Sequence, residues 1–423
     1  MATFSTETKV PFSLDPYHVS ADLGFVLQAP LQELPEYYQP WMDIAFQVSD
    51  LVQSHTLRSH IDKMPLLSVE YLKSHRELRL AHLALSAMTM GYVWQEGEDG
   101  TIERLPRTLA VPFWEVSGCL GLPPILTHAD AVLANWKKKD ADGNLELLVT
   151  LPGGDSVRGF FMVTLLVELA AVPALRSIPA VVNGVRQGDG EAVASALEVL
   201  QQSLQDMTDT LKLMHVFVEP SIFYGIMRIY LSGWKDNPSM PHGLVYEGVE
   251  PEPVQLSGGS AAQSSLLHCF DQLLGVQHEA KSGHFLHRMR DYMLPAHRRL
   301  IQDLSREPSL RDFVQGARAG DARLSRAFQL CVTRLVALRS DHINMVSRFI
   351  SVPAGRARQL RSQGHTAGGA LSRAPVALEE RGTGGSGIMT FLKTVRDRTR
   401  DARLPGSSGV LRDQGPGWDE DSQ

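Results

Sequence analysis

The chain has 423 residues, of which 43% are hydrophobic and 21% are charged, and its formal net charge is -6. This length and composition are typical of a folded globular protein with a sizeable apolar core, and they exclude an intrinsically disordered chain. The acidic balance gives no field that would concentrate the protein on a polyanion, so we expect no nucleic acid partner and no attraction to an acidic membrane surface.

The cysteines and the most apolar segments indicate in which cellular compartment the protein lies. The cysteines have neither the paired spacing of a zinc site nor the density of a disulfide framework, which indicates a reducing environment. Residues 1–15 are polar, so no signal peptide is evident, and the most apolar run, 160–175, is short for a bilayer and contains Glu168. We therefore expect a cytoplasmic protein without a membrane span. The three cysteines lie far apart in the chain, at Cys119, Cys269 and Cys331.

The apolar spacing is helical in the first part of the chain. It predicts one helical face over 41–52 and a helix over 75–94 that is rich in strong helix formers. Glycine and proline residues then interrupt the pattern between Gly97 and Pro112. Short β-prone pieces at 101–111 and 147–151 indicate minor strands or extended connectors rather than a large sheet.

The second part of the chain is helical as well. Apolar residues recur at alternating steps of four and three from Val193 to Met214, which predicts a long helix with one buried seam. Between Pro353 and Gly387 the pattern breaks down into a linker or a functional loop, and a last helix is predicted over 388–403. The pattern is that of an α-helical bundle, with shorter helices at 223–234, 261–274 and 285–293.

A predicted helix over 322–350 carries the most informative histidine. His342 falls on the apolar seam of this helix, together with residues spaced at four and three. A histidine in such a place is usually a core residue with a satisfied ring nitrogen, but a haem ligand requires the same setting. Arg339, one turn earlier, is either a solvated arginine or a partner for a propionate. These residues alone leave both interpretations open.

Other candidate groups also stay undecided on residues alone. Thr164 interrupts an apolar helical patch, and a threonine there more often bonds back to its own helix than acts in catalysis. The segment 223–228 places two aromatic side chains before Arg228, which would clamp a carboxylate or extend to solvent. His284 and His287 are interpreted as a surface pair. The sequence contains no dinucleotide fingerprint, phosphate-binding loop, His-Glu-x-x-His motif or nucleophile elbow.

Several blocks in order resemble the indoleamine 2,3-dioxygenase family. The resemblance covers residues 17–403, and it is specific because many separate blocks occur in the family's order. The blocks are Pro123-Pro124-Ile125-Leu126, Leu133 to Asp140, Arg228 to Lys235, Gly258-Gly259-Ser260-Ala261, Leu338-Arg339-Ser340 with His342, and Gly382-Thr383-Gly384-Gly385.

The resemblance implies an all-α fold, in which a smaller, mostly helical N-terminal domain caps a large helical haem-binding domain. We expect a monomer. On this basis we place the small domain at 1–120, a connecting segment at 121–157, the large domain at 158–404 with a flexible loop at 353–387, and a disordered tail at 405–423.

The resemblance also implies a haem-dependent dioxygenase that opens the pyrrole ring of L-tryptophan, or of related indoles, to N-formylkynurenine. This reaction would belong to the kynurenine pathway and to immune regulation. One haem b per chain and dioxygen would be required, with an electron donor for the initial reduction of the haem iron. Because both oxygen atoms enter the product, the protein would mainly position its substrate.

The same resemblance assigns roles to individual residues. His342 would be the iron ligand, and Arg339 with Asp271 would form a polar network around the propionate and the ligand. Arg228 would clamp the substrate carboxylate and would act in catalysis together with Thr164. Ser260 and Ala261 would border both cofactor and substrate, and the other expected substrate contacts are His128, Phe160, Phe161, Phe223, Tyr224, Gly259 and Thr383.

Three positions depart from the better-known form of the family. Thr164 and His128 stand where that form has serine and tyrosine, a combination typical of the family's second paralogue. It implies weak tryptophan affinity, since such changes alter substrate fit by about 1–3 kcal/mol. Asp341 stands where these enzymes usually have tyrosine, and the sequence does not determine whether its carboxylate approaches the imidazole of His342.

Two other functions remain open. The segment Leu244 to Val249 has the form of a tyrosine-based inhibitory motif, in which phosphorylated Tyr246 would bind SH2-domain proteins. The chain would then be a haem-binding signalling protein with little turnover, although Phe113 replaces the tyrosine of the family's other such motif. The remaining alternative is a helical scaffold with an empty pocket.

Overall fold

A computed structural model of the chain describes residues 10–140, 143–317, 321–363, 369–379, 382–383 and 387–405. The described residues are mostly helical, which confirms the predicted all-α class, and the predicted disordered tail lies almost wholly outside them. The helices are α1 (Gln39–Ala45), α2 (Val48–Gln53), α3 (Leu57–Lys63), α4 (His75–Trp94), α5 (Arg107–Leu120), α6 (Gly154–Ala170), α7 (Val172–Gln187), α8 (Gly190–Leu211), α9 (Met214–Phe217), α10 (Pro220–Ile222), α11 (Ser265–Leu274), α12 (Ala280–Met289), α13 (Pro295–Leu304), α14 (Leu310–Ala317), α15 (Ala322–Val346), α16 (Val352–Ser362) and α17 (Ile388–Asp401). The strands are β1 (Arg104–Leu105), β2 (Lys137–Lys138), β3 (Leu145–Glu146), β4 (Leu244–Tyr246) and β5 (Glu250–Val254).

Helix α4 is the centre of the first part of the chain. It begins with a capping box, in which Ser74 accepts a hydrogen bond from the amide of Glu77 and the Glu77 carboxylate accepts one from the amide of Ser74. The helix packs against α1, α2, α3 and α5 and is buried along most of its length. The predicted helix at 75–94 is confirmed, whereas the face predicted over 41–52 is divided between α1 and α2.

A small sheet connects this part to the second half of the chain. Strand β1 pairs in parallel with β4, so that Arg104 lies opposite Val245 and Leu105 opposite Tyr246, and β4 pairs antiparallel with β5. The β-prone piece predicted at 101–111 therefore contributes only two residues to a strand. Helix α5 includes Pro112, whose missing amide proton removes one hydrogen bond from the helix interior.

Two long helices organise the second half. Helix α8 packs against α6, α7 and α15, and α15 also packs against α17. Both begin with an aspartate cap, since Asp189 accepts a hydrogen bond from the amide of Ala192 and Asp321 accepts one from the amide of Leu324. The predicted seam of α8 is buried at Val193, Leu197, Leu200, Leu204 and Met207.

The irregular segment predicted to begin at Pro353 begins later. Helix α16 spans Val352–Ser362, and Pro353 sits in its first turn, where the missing amide proton costs no helical hydrogen bond. The prediction of a loop is therefore wrong for the first part of 353–387. The glycine and arginine residues that indicated a loop lie here in a mostly exposed helix.

One helical stretch, 154–187, is long and apolar enough to cross a membrane, although half of its most apolar part is buried inside the protein. It consists of α6 and α7, joined at Ala171. The burial indicates core helices of a folded domain. The three cysteines are free thiols, as expected.

A buried ionic cluster joins α4 and α5 to the segment that follows them. His82 lies 2.7 Å from Asp130 through Nδ1 and 3.1 Å from the Ser117 hydroxyl through Nε2. Arg79 donates to the carbonyl of Ala129 at 2.6 Å. Burial alone would raise the pKa of Asp130, but the charge of His82 and its hydrogen bond outweigh burial and lower that pKa.

We predict that Asp130→Ala strongly destabilises the protein. The substitution leaves His82 and Arg79 buried without their carboxylate, which costs about 3–5 kcal/mol when one partner of a buried ion pair is removed. Urea denaturation followed by circular dichroism measures the loss. Asp43→Ala, which removes an exposed carboxylate from α1, is the control and should change the unfolding free energy little. Equal stability of the two variants would contradict the prediction.

Candidate functional site

A cavity of about 320 Å³ lies between α6, α8, α15 and α17 and is bordered by the segment after α5 and by the loop before α11. Its wall is mainly apolar. Tyr224 and Asp271 do not line it. The predicted site residues that do are His128, Phe160, Phe161, Thr164, Phe223, Arg228, Gly259, Ser260, Ala261, Arg339, His342 and Thr383.

Three π-helical turns contribute to the cavity wall. They span Ala129–Ala134, Phe223–Met227 and Ser347–Ser351. Each has at least one residue on the cavity, among them Phe223 and Phe349. A π-turn widens the helix and alters the direction of the following side chains, and such turns occur frequently at functional sites. The helical periodicity used for the sequence analysis does not reveal them.

His342 projects from α15 into the cavity. Its imidazole is half-buried and has no hydrogen-bond partner among the described residues. Burial, with a smaller effect from the charge of Arg339, lowers the pKa of His342 to about 4. The ring is therefore neutral at physiological pH, which is the form that coordinates a metal.

A polar network supports Arg339 from outside the cavity. One guanidinium nitrogen lies 2.8 Å from the Asp271 carboxylate, and the other donates to the hydroxyl of Thr399. The same carboxylate oxygen is 2.8 Å from Nε2 of His278. Burial alone would raise the pKa of Asp271, but the charge of Arg339 and the hydrogen bond from His278 lower it to about 2. His278 and Thr399 were not identified from the sequence.

These residues fit a haem group. A neutral imidazole without a partner faces a broad apolar cavity, and an arginine one turn earlier is held at its edge by Asp271. Within the described ranges, no cluster of three or more histidine, cysteine, aspartate or glutamate side chains could hold a metal ion instead. The donor set is thus one imidazole with an arginine near it, and His342 and Arg339 would hold the iron and a propionate of a porphyrin.

The charge of Asp341 acts away from the cavity. It raises the pKa of Lys212, a smaller effect than the hydrogen bond that Lys212 donates to Asp209, and it partly offsets the lowering of the His215 pKa by burial and Arg348. Lys212 directly follows α8, and His215 lies in α9. The charge that acts on the pKa of His342 is that of Arg339, whereas the charge of Asp341 acts on Lys212 and His215.

Aromatic side chains form one wall of the cavity. The rings of Phe160 and Phe223 have centroids 5.1 Å apart, and Phe161 contacts Phe160 edge to face at 5.4 Å. Phe349 extends this wall by an edge contact with Phe223 at 6.0 Å. Such a cluster offers flat apolar surfaces to an aromatic ligand.

Arg228 is the buried cation of this wall. Its Nη1 donates to the backbone carbonyl of Leu378 at 2.6 Å, and its guanidinium lies 5.6 Å from the centre of the Tyr224 ring. Burial lowers its pKa to about 10, so the group remains protonated at neutral pH. Tyr224 itself packs in a separate cluster with Ala354, Ala357 and Ala374. Tyr224 thus supports Arg228 and does not line the cavity, contrary to its expected substrate contact.

The segment that offers the Leu378 carbonyl is held by the first part of the chain. The two carboxylate oxygens of Glu98 accept hydrogen bonds from the amides of Val376 and Ala377, at 2.6 and 2.8 Å. A continuous set of contacts therefore runs from Glu98 to Arg228. Glu98 was not identified from the sequence because it lies among other charged residues in a turn.

Thr383 closes the cavity against the glycine block. Its hydroxyl donates to the carbonyl of Gly259, and its own carbonyl accepts from the amide of Gly258 at 3.2 Å. Gly258 and Gly233 approach so closely that a Cβ atom on Gly233 would lie 2.2 Å from the Gly258 nitrogen. This close approach explains why the block from Arg228 to Lys235 and the block from Gly258 to Ala261 each contain glycine at the contact. Residues 384–386, which belong to the same predicted block, lie outside the described residues.

The two residues that distinguish the paralogues also border the cavity. The Thr164 hydroxyl donates to the carbonyl of Phe160 at 2.7 Å, which is the local bond to its own helix that a threonine usually makes. Its proton is thus engaged in this bond, and the side chain lines the cavity. His128 lies 2.8 Å from Glu168, a cavity residue that was not predicted from the sequence as part of the site.

Tyr246, the residue of the signalling alternative, lies in β4 and is fully buried. Its hydroxyl donates to the carbonyl of Pro124 at 2.6 Å. Burial raises the pKa of this hydroxyl well above its usual value. A kinase or an SH2 domain would reach the side chain only after local unfolding. His284 and His287 are exposed on α12, as expected for a surface pair.

Comparison with known proteins shows one family over nearly the whole chain. Residues 13–402 match the family described as indoleamine 2,3-dioxygenase. The chain is 51% identical to indoleamine 2,3-dioxygenase 2 of Homo sapiens over 405 residues, which cover 95% of this chain and 98% of the human protein. It is 45% identical to indoleamine 2,3-dioxygenase 1 of Rattus norvegicus, over 92% of this chain and 96% of the rat protein. A protein of Haliotis diversicolor named myoglobin is 40% identical, over 91% of this chain and 97% of that protein.

We predict that Glu98→Ala loosens the segment beside Arg228. The two amides of Val376 and Ala377 lose their only hydrogen-bond acceptor among the described residues, so their hydrogen exchange should accelerate about tenfold, as expected for the loss of about 1.4 kcal/mol of local stability. Exchange followed by mass spectrometry measures the effect. Glu103→Ala, an exposed carboxylate in the same part of the chain, is the matched control. Identical exchange at 376–377 in both variants would argue against this role of Glu98.

A second prediction concerns acid stability. Because the pKa of Asp271 is lowered on folding, its ionised form stabilises the protein above the usual aspartate pKa of about 4, and this contribution is lost as the pH falls toward 2. Asp271→Asn should therefore be less stable than the wild type at pH 7, by on the order of 2 kcal/mol. The difference should shrink below pH 4 in urea denaturation series. A difference that does not change with pH would refute the assignment.

Proposed function

The chain belongs to the indoleamine 2,3-dioxygenase family, whose members are haem dioxygenases, and from this membership we propose that it opens the pyrrole ring of L-tryptophan to N-formylkynurenine on one haem b held by His342. The observation that carries the proposal is the neutral, unpartnered imidazole of His342 in an apolar cavity that also contains Arg228. We further propose that the protein acts in the cytoplasm as a monomer, in tryptophan catabolism and immune regulation.

Bound haem, in its ferrous form, supplies the activation of dioxygen. The residues of the chain bind and orient the substrate. Arg228, which also donates to the carbonyl of Leu378, would donate hydrogen bonds to the substrate carboxylate, because a buried guanidinium forms strong charge-assisted hydrogen bonds. Phe160 and Phe223 would pack against the indole ring and exclude water. With both oxygen atoms entering the product, no residue has to act as a general base, and positioning is the main task.

Weak tryptophan affinity is part of the proposal. The extra methyl group of Thr164, compared with serine, reduces the space in the cavity beside its aromatic wall. His128 adds a polar ring that is hydrogen-bonded to Glu168. Changes of this size at a pocket alter substrate fit by about 1–3 kcal/mol. The signalling alternative through Tyr246 has no comparable support, since the tyrosine is buried in β4.

The decisive experiment measures product formation. Purified, haem-loaded protein is incubated with millimolar L-tryptophan, ascorbate and methylene blue, and N-formylkynurenine is followed together with the Soret absorption. We expect product from the wild type and neither product nor a normal Soret band from His342→Ala. His287→Ala, an exposed histidine of α12, is the matched control and should retain both.

Each outcome of this experiment has a separate meaning. A His342-dependent Soret band without product would favour reversible oxygen binding over turnover, a possibility raised by the similarity to a protein named myoglobin. A wild type without any haem spectrum after reconstitution would leave only the scaffold alternative. Product from His342→Ala equal to that from the wild type would refute the assigned ligand.

A further prediction tests the substrate clamp. Arg228→Gln should lower kcat/KM for L-tryptophan about 10- to 100-fold, because a hydrogen bond to a charged group contributes about 1.5–3 kcal/mol. Steady-state kinetics on haem-loaded protein measure the loss. The control is Arg348→Gln, which removes an exposed arginine beside the cavity residue Phe349. An equal effect of the two substitutions would show that charge alone, rather than the position of Arg228, matters.

A further inference from the structure

One carboxylate oxygen holds the polar network beside the cavity together. Oδ2 of Asp271 lies 2.8 Å from the guanidinium of Arg339 and also 2.8 Å from Nε2 of His278. Asp271 belongs to α11, Arg339 to α15, and His278 to the loop that precedes α12. Arg339 lines the cavity, whereas Asp271 and His278 do not. The roles assigned in the proposed reaction do not use His278.

The imidazole of His278 is enclosed by the protein and keeps one unused nitrogen. Its side chain is 12% exposed, against 6% for Asp271. Nδ1 of the ring and Oδ1 of the carboxylate are both buried, and neither has a hydrogen-bond partner within the described ranges. Because a carboxylate only accepts hydrogen bonds, the Nε2 proton points to Asp271, and Nδ1 is where a second proton would bind. The ring can therefore become charged without losing its existing hydrogen bond.

The charges of this network balance only while no cofactor is bound. Burial would raise the pKa of Asp271, but Arg339 and His278 lower it to about 2, so the carboxylate is ionised. The guanidinium of Arg339 is always charged, and the two charges cancel. Arg339 is also the residue that would hold a haem propionate, which is negatively charged. Two carboxylates would then share one guanidinium, and the imidazole in contact with Asp271 would feel the excess negative charge.

The other titratable groups around His278 keep their charge near neutral pH. Burial lowers the pKa of His268 to about 4, so that ring is neutral, and Arg290 donates to its Nδ1 at 3.3 Å. On the α17 side, Arg398 donates to the carboxylate of Glu279 at 3.1 Å. A histidine is the side chain that changes charge between about pH 5 and 8. This leaves His278 as the proton acceptor of the network.

We propose that His278 takes up a proton at Nδ1 when haem binds, and that the resulting imidazolium offsets the charge of the propionate and so retains the cofactor. The proton comes from solvent, and no electron is transferred. His278 is thus a positioning residue that acts on haem through Asp271 and Arg339. Because the proposal rests on the proposed function for the place of the haem, it is tested by retention of the cofactor rather than by turnover.

The direction of the pH dependence follows from proton linkage. A bound propionate favours the charged form of His278, so the haem-bound protein binds more protons than the haem-free protein. Haem is then held most firmly where the imidazole is charged, and this advantage is lost as the pH rises, by at most about tenfold per pH unit for one proton. The opposite effect of His342, whose pKa burial lowers to about 4, is confined to more acidic solutions.

The experiment measures the release of haem and requires no substrate. Ferric, haem-loaded protein is mixed with an excess of apomyoglobin at several pH values between about 6.5 and 8.5, and transfer of the cofactor is followed by the Soret absorption. The dissociation rate constant of the wild type should rise about tenfold over this range. A purely structural role of His278 would change the rate constant by the same factor at every pH.

Three variants separate the proton from the hydrogen bond. His278→Gln keeps a donor for Asp271 but takes up no proton, so it should release haem about tenfold faster than the wild type near pH 6.5 and equally fast near pH 8.5. His278→Lys remains charged, and its rate constant should not rise with pH. His284→Gln, which replaces an exposed histidine of α12, is the matched control and should reproduce the wild-type profile.

Each outcome decides the proposal. A wild-type rate constant that does not rise with pH overturns it, as does a profile of His278→Gln that parallels the wild type. His278→Lys decides alone if His278→Gln does not fold, and a rate constant that still rises in His278→Lys overturns the proposal. A wild type without a Soret band overturns this proposal together with the proposed function. Haem retention with the expected profile, but without N-formylkynurenine, refutes only the proposed reaction.

Discussion

The cavity can hold charged side chains only because each one has a hydrogen-bond partner. An unpaired charge inside a protein costs several kcal/mol, so an apolar chamber with two arginines and a carboxylate requires polar partners, of which those of the arginines lie behind its wall. Arg339 has Asp271, Arg228 has the carbonyl of Leu378, and Glu168 has His128 and Ser264. These partners come from α11, from the segment after α16 and from two loops, so the polarity of the site depends on the assembly of the whole second half.

The shape of the chamber has a related origin. Regular helices at ordinary spacing would pack their side chains together and leave little room. Here three π-turns occur where helices border the cavity, and close glycine contacts at Gly233 and Gly258 bring two loops together beside it. The room for a large flat cofactor and an aromatic substrate therefore arises from local departures from regular helix geometry.

The sequence allowed the long helices and most of the cavity residues to be predicted, for two different reasons. Helices α8 and α15 have periodic apolar faces, α4 is rich in strong helix formers, and all three have capping side chains, so the predicted and observed helices agree closely. The cavity residues came from family resemblance, since Thr164 or Arg228 alone had ordinary explanations. Helix α16, the π-turns, Glu98 and Glu168 were missed, because long-range hydrogen bonds and helix defects leave no periodic trace in the sequence.

The pairing of β1 with β4 has a consequence for the order of folding during synthesis. Residues 104–105 emerge from the ribosome long before their partners at 245–246 exist. Contacts so distant in sequence form late, because the intervening chain must first be closed into a loop. Strand β1 of the nascent N-terminal part therefore lacks its partner strand until more than half of the polypeptide has been translated. Protection by chaperones matters most during that interval.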